Sequence, residues 1–228
     1  VNVAKRYGVS REEMDRFAQR SQELAVASQE SGFFDREIVP IPDHEGNPVS
    51  KDDGPRPNST LEKLAELPEA FGGGGVTAGN SCPLNDGAAA VLIMSDAKAK
   101  ELGVAPKARI LATATWGNEP EYMGVAPIGA IRKVLQRTGM TIDDVDVVEL
   151  NEAFAAQVIP IMNECGIPLE KLNTHGGAIA LGHPFGMTGA RIMATLLNAM
   201  ETDDHQIGLE TMCVAGGQGE AMLVERLN

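Results

Sequence analysis

The chain reads as an α/β protein, and three observations carry that reading. Short apolar runs at residues 88–94, 108–115 and 145–150 alternate with helix-patterned stretches at 95–102, 128–137 and 152–165. Two closing strands, 207–214 and 221–227, flank the turn Gly216-Gly217-Gln218-Gly219, a hairpin signal. At 228 residues and 43% hydrophobic, the chain has enough apolar material for a substantial core. Strands that alternate with helices predict a mostly parallel sheet covered on both faces over residues 107–228.

The elements follow in order. Ser10-Arg11-Glu12-Glu13 predicts a capping box, in which hydroxyl and carboxylate satisfy the open N–H groups of a helix start. Phe17, Leu24 and Ala25 then recur on one face of that helix. Five prolines (Pro40, Pro42, Pro48, Pro55 and Pro57) exclude a long regular element between residues 31 and 60. Gly72 to Gly75 read as a flexible joint. The first third is expected to hold little core of its own. Residues 88–94 (Ala-Ala-Ala-Val-Leu-Ile-Met) read as a fully buried strand. Residues 184–200 read as a helix with Pro184 in its first turn, where a missing N–H costs nothing.

A formal net charge of -13 argues against nucleic acid and against an anionic membrane surface as partners. No apolar run is long enough to span a bilayer. Three cysteines without scaffold-like spacing fit thiols in a reducing compartment, the cytoplasm. His44, His175 and His205 have no ligand-like spacing with each other or with the cysteines, so no metal site is expected.

The chemistry concentrates in the last third. Asn151 ends a strand in Asn151-Glu152-Ala153-Phe154, with Glu152 opening a helix; an Asn there caps well, and the cap is the favoured reading over an amide that positions a water. His183 lies in Gly182-His183-Pro184-Phe185-Gly186, where glycines let backbone approach a ligand and a helix start favours the neutral imidazole. Cys213 ends a strand before Val214-Ala215-Gly216-Gly217-Gln218-Gly219. A lone Cys there is more often a small buried hydrophobe, yet at a tight turn beside an imidazole its thiol could exchange protons. Cys165, at a helix C-terminus, reads as structural. Cys82, before Pro83, reads as a possible ligand contact and an unlikely nucleophile.

Together, in order and spacing, the Asn-Glu-Ala-Phe, Gly-His-Pro and Cys-x-x-Gly-Gly segments resemble the C-terminal half of the thiolases, the acyl-CoA acyltransferases. Residues 2–10, Glu37-Ile38-Val39-Pro40, residues 76–89 and Met123-Gly124 extend the resemblance over nearly the whole chain. It implies a layered α-β-α-β-α fold with mixed five-stranded sheets. Residues 1–75 would be part of the loop domain that holds CoA, 76–104 the closing strand and helix of the N-terminal half, and 105–228 the C-terminal domain.

The roles it implies are these. His183 activates the nucleophilic cysteine and helps hold the thioester oxygen, Asn151 fixes the water that completes that oxyanion site, and Cys213 shuttles the proton at the acetyl carbon. Arg56, Ser81, Cys82, Phe71, Met123, Phe154, Ala215 and Gly216 would contact coenzyme A, a substrate; no prosthetic group is implied. Cys82 stands where many members have a serine on the pantetheine. The family keeps its acyl-accepting cysteine in a Cys-x-Ser-Gly setting, which none of the three cysteines here occupies. The expectation is therefore a thiolase without its N-terminal segment, inactive alone and needing that segment as partner. A homo-oligomer, and a place in a fatty-acid oxidation complex, are further implications. A non-catalytic CoA-binding module and a condensing enzyme of the ketoacyl-synthase type are the competing readings; Cys213 in its glycine turn argues against the second.

Overall fold

The computed structural model describes residues 1–227, which divide into two compact units. The first comprises residues 1–86, 152–160 and 173–183, and the second the other described residues: 87–151, 161–172 and those from 184 onward.

The first unit is organised by its long helix. α1 (Asn2–Tyr7) ends on Gly8, and α2 (Arg11–Glu30) opens with the expected capping box, Ser10 accepting from the Glu13 N–H while the Glu13 carboxylate takes the Ser10 N–H. α2 buries Met14, Phe17, Ala18 and Ala25, and the 3-10 helix Phe33–Arg36 adds Phe33 and Phe34. A small hairpin, β1 (Ile41–Pro42) with β2 (Pro48–Val49), and α3 (Leu61–Ala65) follow. The first third therefore has a core, contrary to expectation. The reason is non-local: α2 packs on α3 and on α7 (Ala178–Leu181), a helix supplied from far along the chain. Gly75 belongs to this packing too, since a Cβ there would strike Met14 and Arg11, so the glycine run is a site of close approach and not only a joint.

The second unit holds α4 (Asp96–Leu102), β3 (Ala108–Gly117), α5 (Pro127–Thr138), β4 (Val147–Leu150), the end of α6 (Ala155–Cys165), α8 (Thr188–Thr202), β5 (Ile207–Val214) and β6 (Gln218–Arg226). The sheet runs β3-β6-β5-β4. Only β4–β5 is parallel; β3–β6 and β5–β6 are antiparallel. The sheet is mixed, as the family resemblance implied, and not mostly parallel as the strand–helix alternation predicted, because the short glycine turn returns β6 antiparallel to β5. It has four strands, not five, among the described residues.

Period-two alternation assigns the faces. Gly208 of β5 lies against Met200 and Leu196 of α8, so residues of its parity (Glu210, Met212, and Glu149 across on β4) face α8. The opposite parity carries Cys213, Gly219 and Trp116, and Trp116 meets Gly129 of α5. Both faces are covered, as expected. Residues 88–94 differ from expectation. They join no ladder among the described residues, and Leu92 and Ile93 are 80% and 66% exposed. Apolarity suits a strand to burial, but pairing requires a neighbour with open N–H and C=O groups.

Candidate active site

In the second unit, Cys213 is the penultimate residue of β5, on the α5 face, 7% exposed and paired in register with Gly219. The loop of Ala215, Gly216 and Gly217 closes the hairpin, with the Gln218 amide donating to the Ala215 carbonyl at 3.0 Å. Gly216 and Gly217 take φ of 84° and 93°, the left-handed half of the map that glycine adopts without penalty. The Asn118 N–H donates to the Gly217 carbonyl at 2.6 Å, which ties the hairpin tip to the segment leading into the 3-10 helix Pro120–Val125. That helix carries Met123, 37% exposed.

Asn151 continues β4 by one residue. Its N–H donates to the Thr211 carbonyl at 3.1 Å, and the Leu150–Thr211 register sets it beside the end of β5 that leads into Cys213. Asn151 is fully buried and is not a helix cap, because α6 begins only at Ala155. The second unit thus brings Asn151, Cys213, Ala215, Gly216 and Met123 into one body.

The first unit holds the other predicted residues. Phe154 forms an isolated bridge with Ser81, and its ring meets that of Phe71 edge-on at 6.2 Å. The Cys82 N–H donates to the Ala153 carbonyl at 3.0 Å. Ser81 Oγ donates inward to the Thr77 carbonyl at 2.6 Å. Burial pushes the Cys82 thiol up, and the negative charge of Glu152 adds to it, so Cys82 resists becoming a thiolate. Phe71 is 62% exposed. The Arg56 N–H is anchored by Gln22 Oε1 at 2.7 Å, while its side chain is exposed.

His183 follows the Gly182 cap of α7. It does not stand at a helix start: α8 begins at Thr188, five residues later. Pro184 instead makes a turn whose carbonyl accepts from the Met187 N–H and the Thr188 N–H and hydroxyl. The His183 N–H donates to Asn85 Oδ1 at 3.1 Å. His175 is occupied structurally, stacked on Phe33 at 3.6 Å with Nδ1 3.0 Å from Ser28 Oγ.

Sequence reasoning missed one residue of this unit. Glu152 does not open a helix; it is fully buried. Its carboxylate accepts from Ser21 Oγ at 2.6 Å, Asn173 Nδ2 at 2.7 Å and the Ile179 N–H at 3.2 Å. It ties α2, the start of α7 and the segment after Asn151 together.

Among the described residues no group of His, Cys, Asp and Glu could hold a metal, and no helix is long and apolar enough to cross a membrane.

Relatives sharpen the picture. A probable acetyl-CoA acyltransferase of Staphylococcus aureus is 49% identical over 230 residues, covering 99% of this chain and 58% of the relative. An acetyl-CoA acetyltransferase of Allochromatium vinosum is 47% identical over 231 residues, 99% of this chain and 59% of the relative. The crystal structure of the Bacillus anthracis acetyl-CoA acetyltransferase superposes with a TM-score of 0.95 at 43% identity, over 99% of this chain and 58% of that one. The chain thus spans a little under three fifths of their length. The thiolase N-terminal domain matches residues 1–97 and the thiolase C-terminal domain residues 104–226. The expectation of a chain lacking the N-terminal portion, and inactive for that reason, finds no support in these matches, since the N-terminal domain is itself matched. With the C-terminal match alone covering more than half of its residues, on an α/β fold shared with a solved thiolase, the chain belongs to the thiolase family.

Proposed function

We propose that the protein carrying this chain is an acyl-CoA acyltransferase that cleaves 3-ketoacyl-CoA with CoA into acetyl-CoA and a shortened acyl-CoA, or runs the reverse Claisen condensation. The observation that carries this reading is Cys213, a thiol on a fixed rung opposite Gly219, at a glycine-closed hairpin tip and beside the end of β4 where Asn151 stands. Cleavage of the bond between the α and β carbons of a 3-ketoacyl thioester leaves a carbanion on the acetyl unit. Cys213 is assigned the proton delivered there, and removes it in the condensation direction. His183 is assigned the base that activates the acyl-accepting thiol and a donor to the thioester oxygen. Asn151 is assigned the oxyanion water; donors aimed at developing negative charge commonly supply the largest single part of such catalysis.

Coenzyme A is the substrate contacted, with Arg56, Ser81, Cys82, Phe71, Met123, Phe154, Ala215 and Gly216 assigned to it. The inward hydrogen bond of Ser81 leaves its oxygen as an acceptor only. A homo-oligomer working in fatty-acid metabolism in the cytoplasm, and its membership of an oxidation complex, belong to the same reading. Thiolysis of acetoacetyl-CoA, followed by its loss of ultraviolet absorbance, tests the reaction. Cys213→Ser should lower kcat by about 10²–10⁴-fold with CoA affinity little changed. A parent protein that neither turns over nor binds CoA, or a variant altered only in KM, would overturn the proposal.

A further inference from the structure

Asn85 has no part in the roles above, yet two features of the first unit converge on it. Its Oδ1 accepts the His183 N–H at 3.1 Å, across 98 positions of chain. Its whole carboxamide also fills the space over Gly182: a Cβ on Gly182 would fall inside contact distance of Asn85 Nδ2, Oδ1 and Cγ. Gly182 itself has φ 93° and ψ 165°, a conformation essentially restricted to glycine. One carboxamide therefore holds the backbone entering His183 twice, by its steric fit over Gly182 and by its hydrogen bond to the His183 N–H. α7 is fixed upstream by the Glu152 carboxylate on the Ile179 N–H.

We propose that Asn85 is a positioning residue for His183, its carboxamide setting the Gly182–His183 backbone and with it the direction of the imidazole. The inference about position stands on geometry alone; its catalytic consequence rests on the function proposed above. An amide side chain suits the task. Its acceptor holds the N–H without placing a formal negative charge beside the imidazole, and its planar shape packs flat on a glycine Cα. Asn85 is exposed, so its substitution removes little core packing.

The test uses Asn85→Ala, which removes the acceptor, and Asn85→Asp, which keeps an oxygen acceptor in nearly the same shape. Amide hydrogen exchange at His183, read by NMR with His183→Asn to assign the signals, should speed up about tenfold in Asn85→Ala. The His183 imidazole signals should shift, while melting temperature changes little. Asn85→Asp should restore His183 N–H protection. In the acyltransferase assay Asn85→Ala should lower kcat roughly tenfold to a hundredfold with KM nearly constant. Unchanged His183 amide exchange in Asn85→Ala, or no recovery in Asn85→Asp, would overturn the proposal whether or not the protein turns over. A protein with the exchange effect but no thiolysis would keep Asn85 in its role and reject the assigned reaction.

Discussion

Replacing Glu210 by Gln should make the second unit more stable at pH 8 and leave it nearly unchanged at pH 4. Glu210 projects from β5 toward α8, with Glu149 beside it in register on β4 and Met222 on β6. Arg191 of α8 lies 3.8 Å from the Glu149 carboxylate. Burial pushes the Glu210 carboxyl up from an ordinary 4.5 to about 7, and Arg191 offsets only part of that. Below pH 4.5 the group is protonated in both folded and unfolded chains and costs nothing. Between 4.5 and 7 the folded protein retains a proton that the unfolded chain has lost, so stability falls as pH rises. Above 7 the full penalty remains, about 3 kcal/mol from the size of the rise. Gln has the same shape and never ionises. Urea unfolding of parent and variant at several pH values isolates the effect, because the difference between them cancels every other titrating group. A difference that is flat from pH 4 to 8, or a variant that loses stability relative to the parent as pH rises, would refute the argument.

Glu152→Ala should cost about 3–5 kcal/mol, because Ser21 Oγ, Asn173 Nδ2 and the Ile179 N–H would lose a buried acceptor together; thermal unfolding reads the loss, and a change under 1 kcal/mol would contradict this account. Cys165 has its thiol pushed up to about 11 by burial, with nearby Glu164 adding and Arg132 opposing. Its alkylation by iodoacetamide at pH 8 should therefore run about a hundredfold slower in the folded protein than after unfolding, and equal rates on peptide mapping would argue against a buried, protonated thiol.

What the sequence made legible was local. The Ser10–Glu13 box, the pattern of α5 and the glycine turn between β5 and β6 each place their signal within a few residues of its structural effect. Glu152 was illegible because its partners lie 131, 21 and 27 positions away. Its position just after a strand resembled a helix start when the chain was instead diving into the first unit. Pro184 misled in a related way. Pro suits a first helical turn, but here its carbonyl closes a separate turn onto Met187 and Thr188 before α8 begins. Residues 88–94 show that hydrophobicity alone does not determine burial: seven apolar residues in sequence still need a strand to pair with.

The glycines around His183 and Cys213 carry a different lesson. In the sequence their density suggested backbone kept bare for a ligand. In the fold the space over Gly182 is taken by the Asn85 carboxamide, and the space over Gly217 by the Asn118 carbonyl and Pro120. Both glycines have φ near 93°, so any other residue would suffer twice, in its own backbone and against its neighbour. These glycines serve the protein's internal contacts first. Chemistry needs a side chain held within a fraction of an ångström, and a backbone pressed against a neighbouring polar group gives that precision where a loop open to solvent would not. Gly182 and Gly217 therefore report how tightly the His183 and Cys213 backbones are held, while Gly186 and Gly216 have room for a side chain. On that argument, substituting Gly182 or Gly217 by Ala should impair His183 or Cys213 through backbone displacement, even where no ligand touches the added methyl.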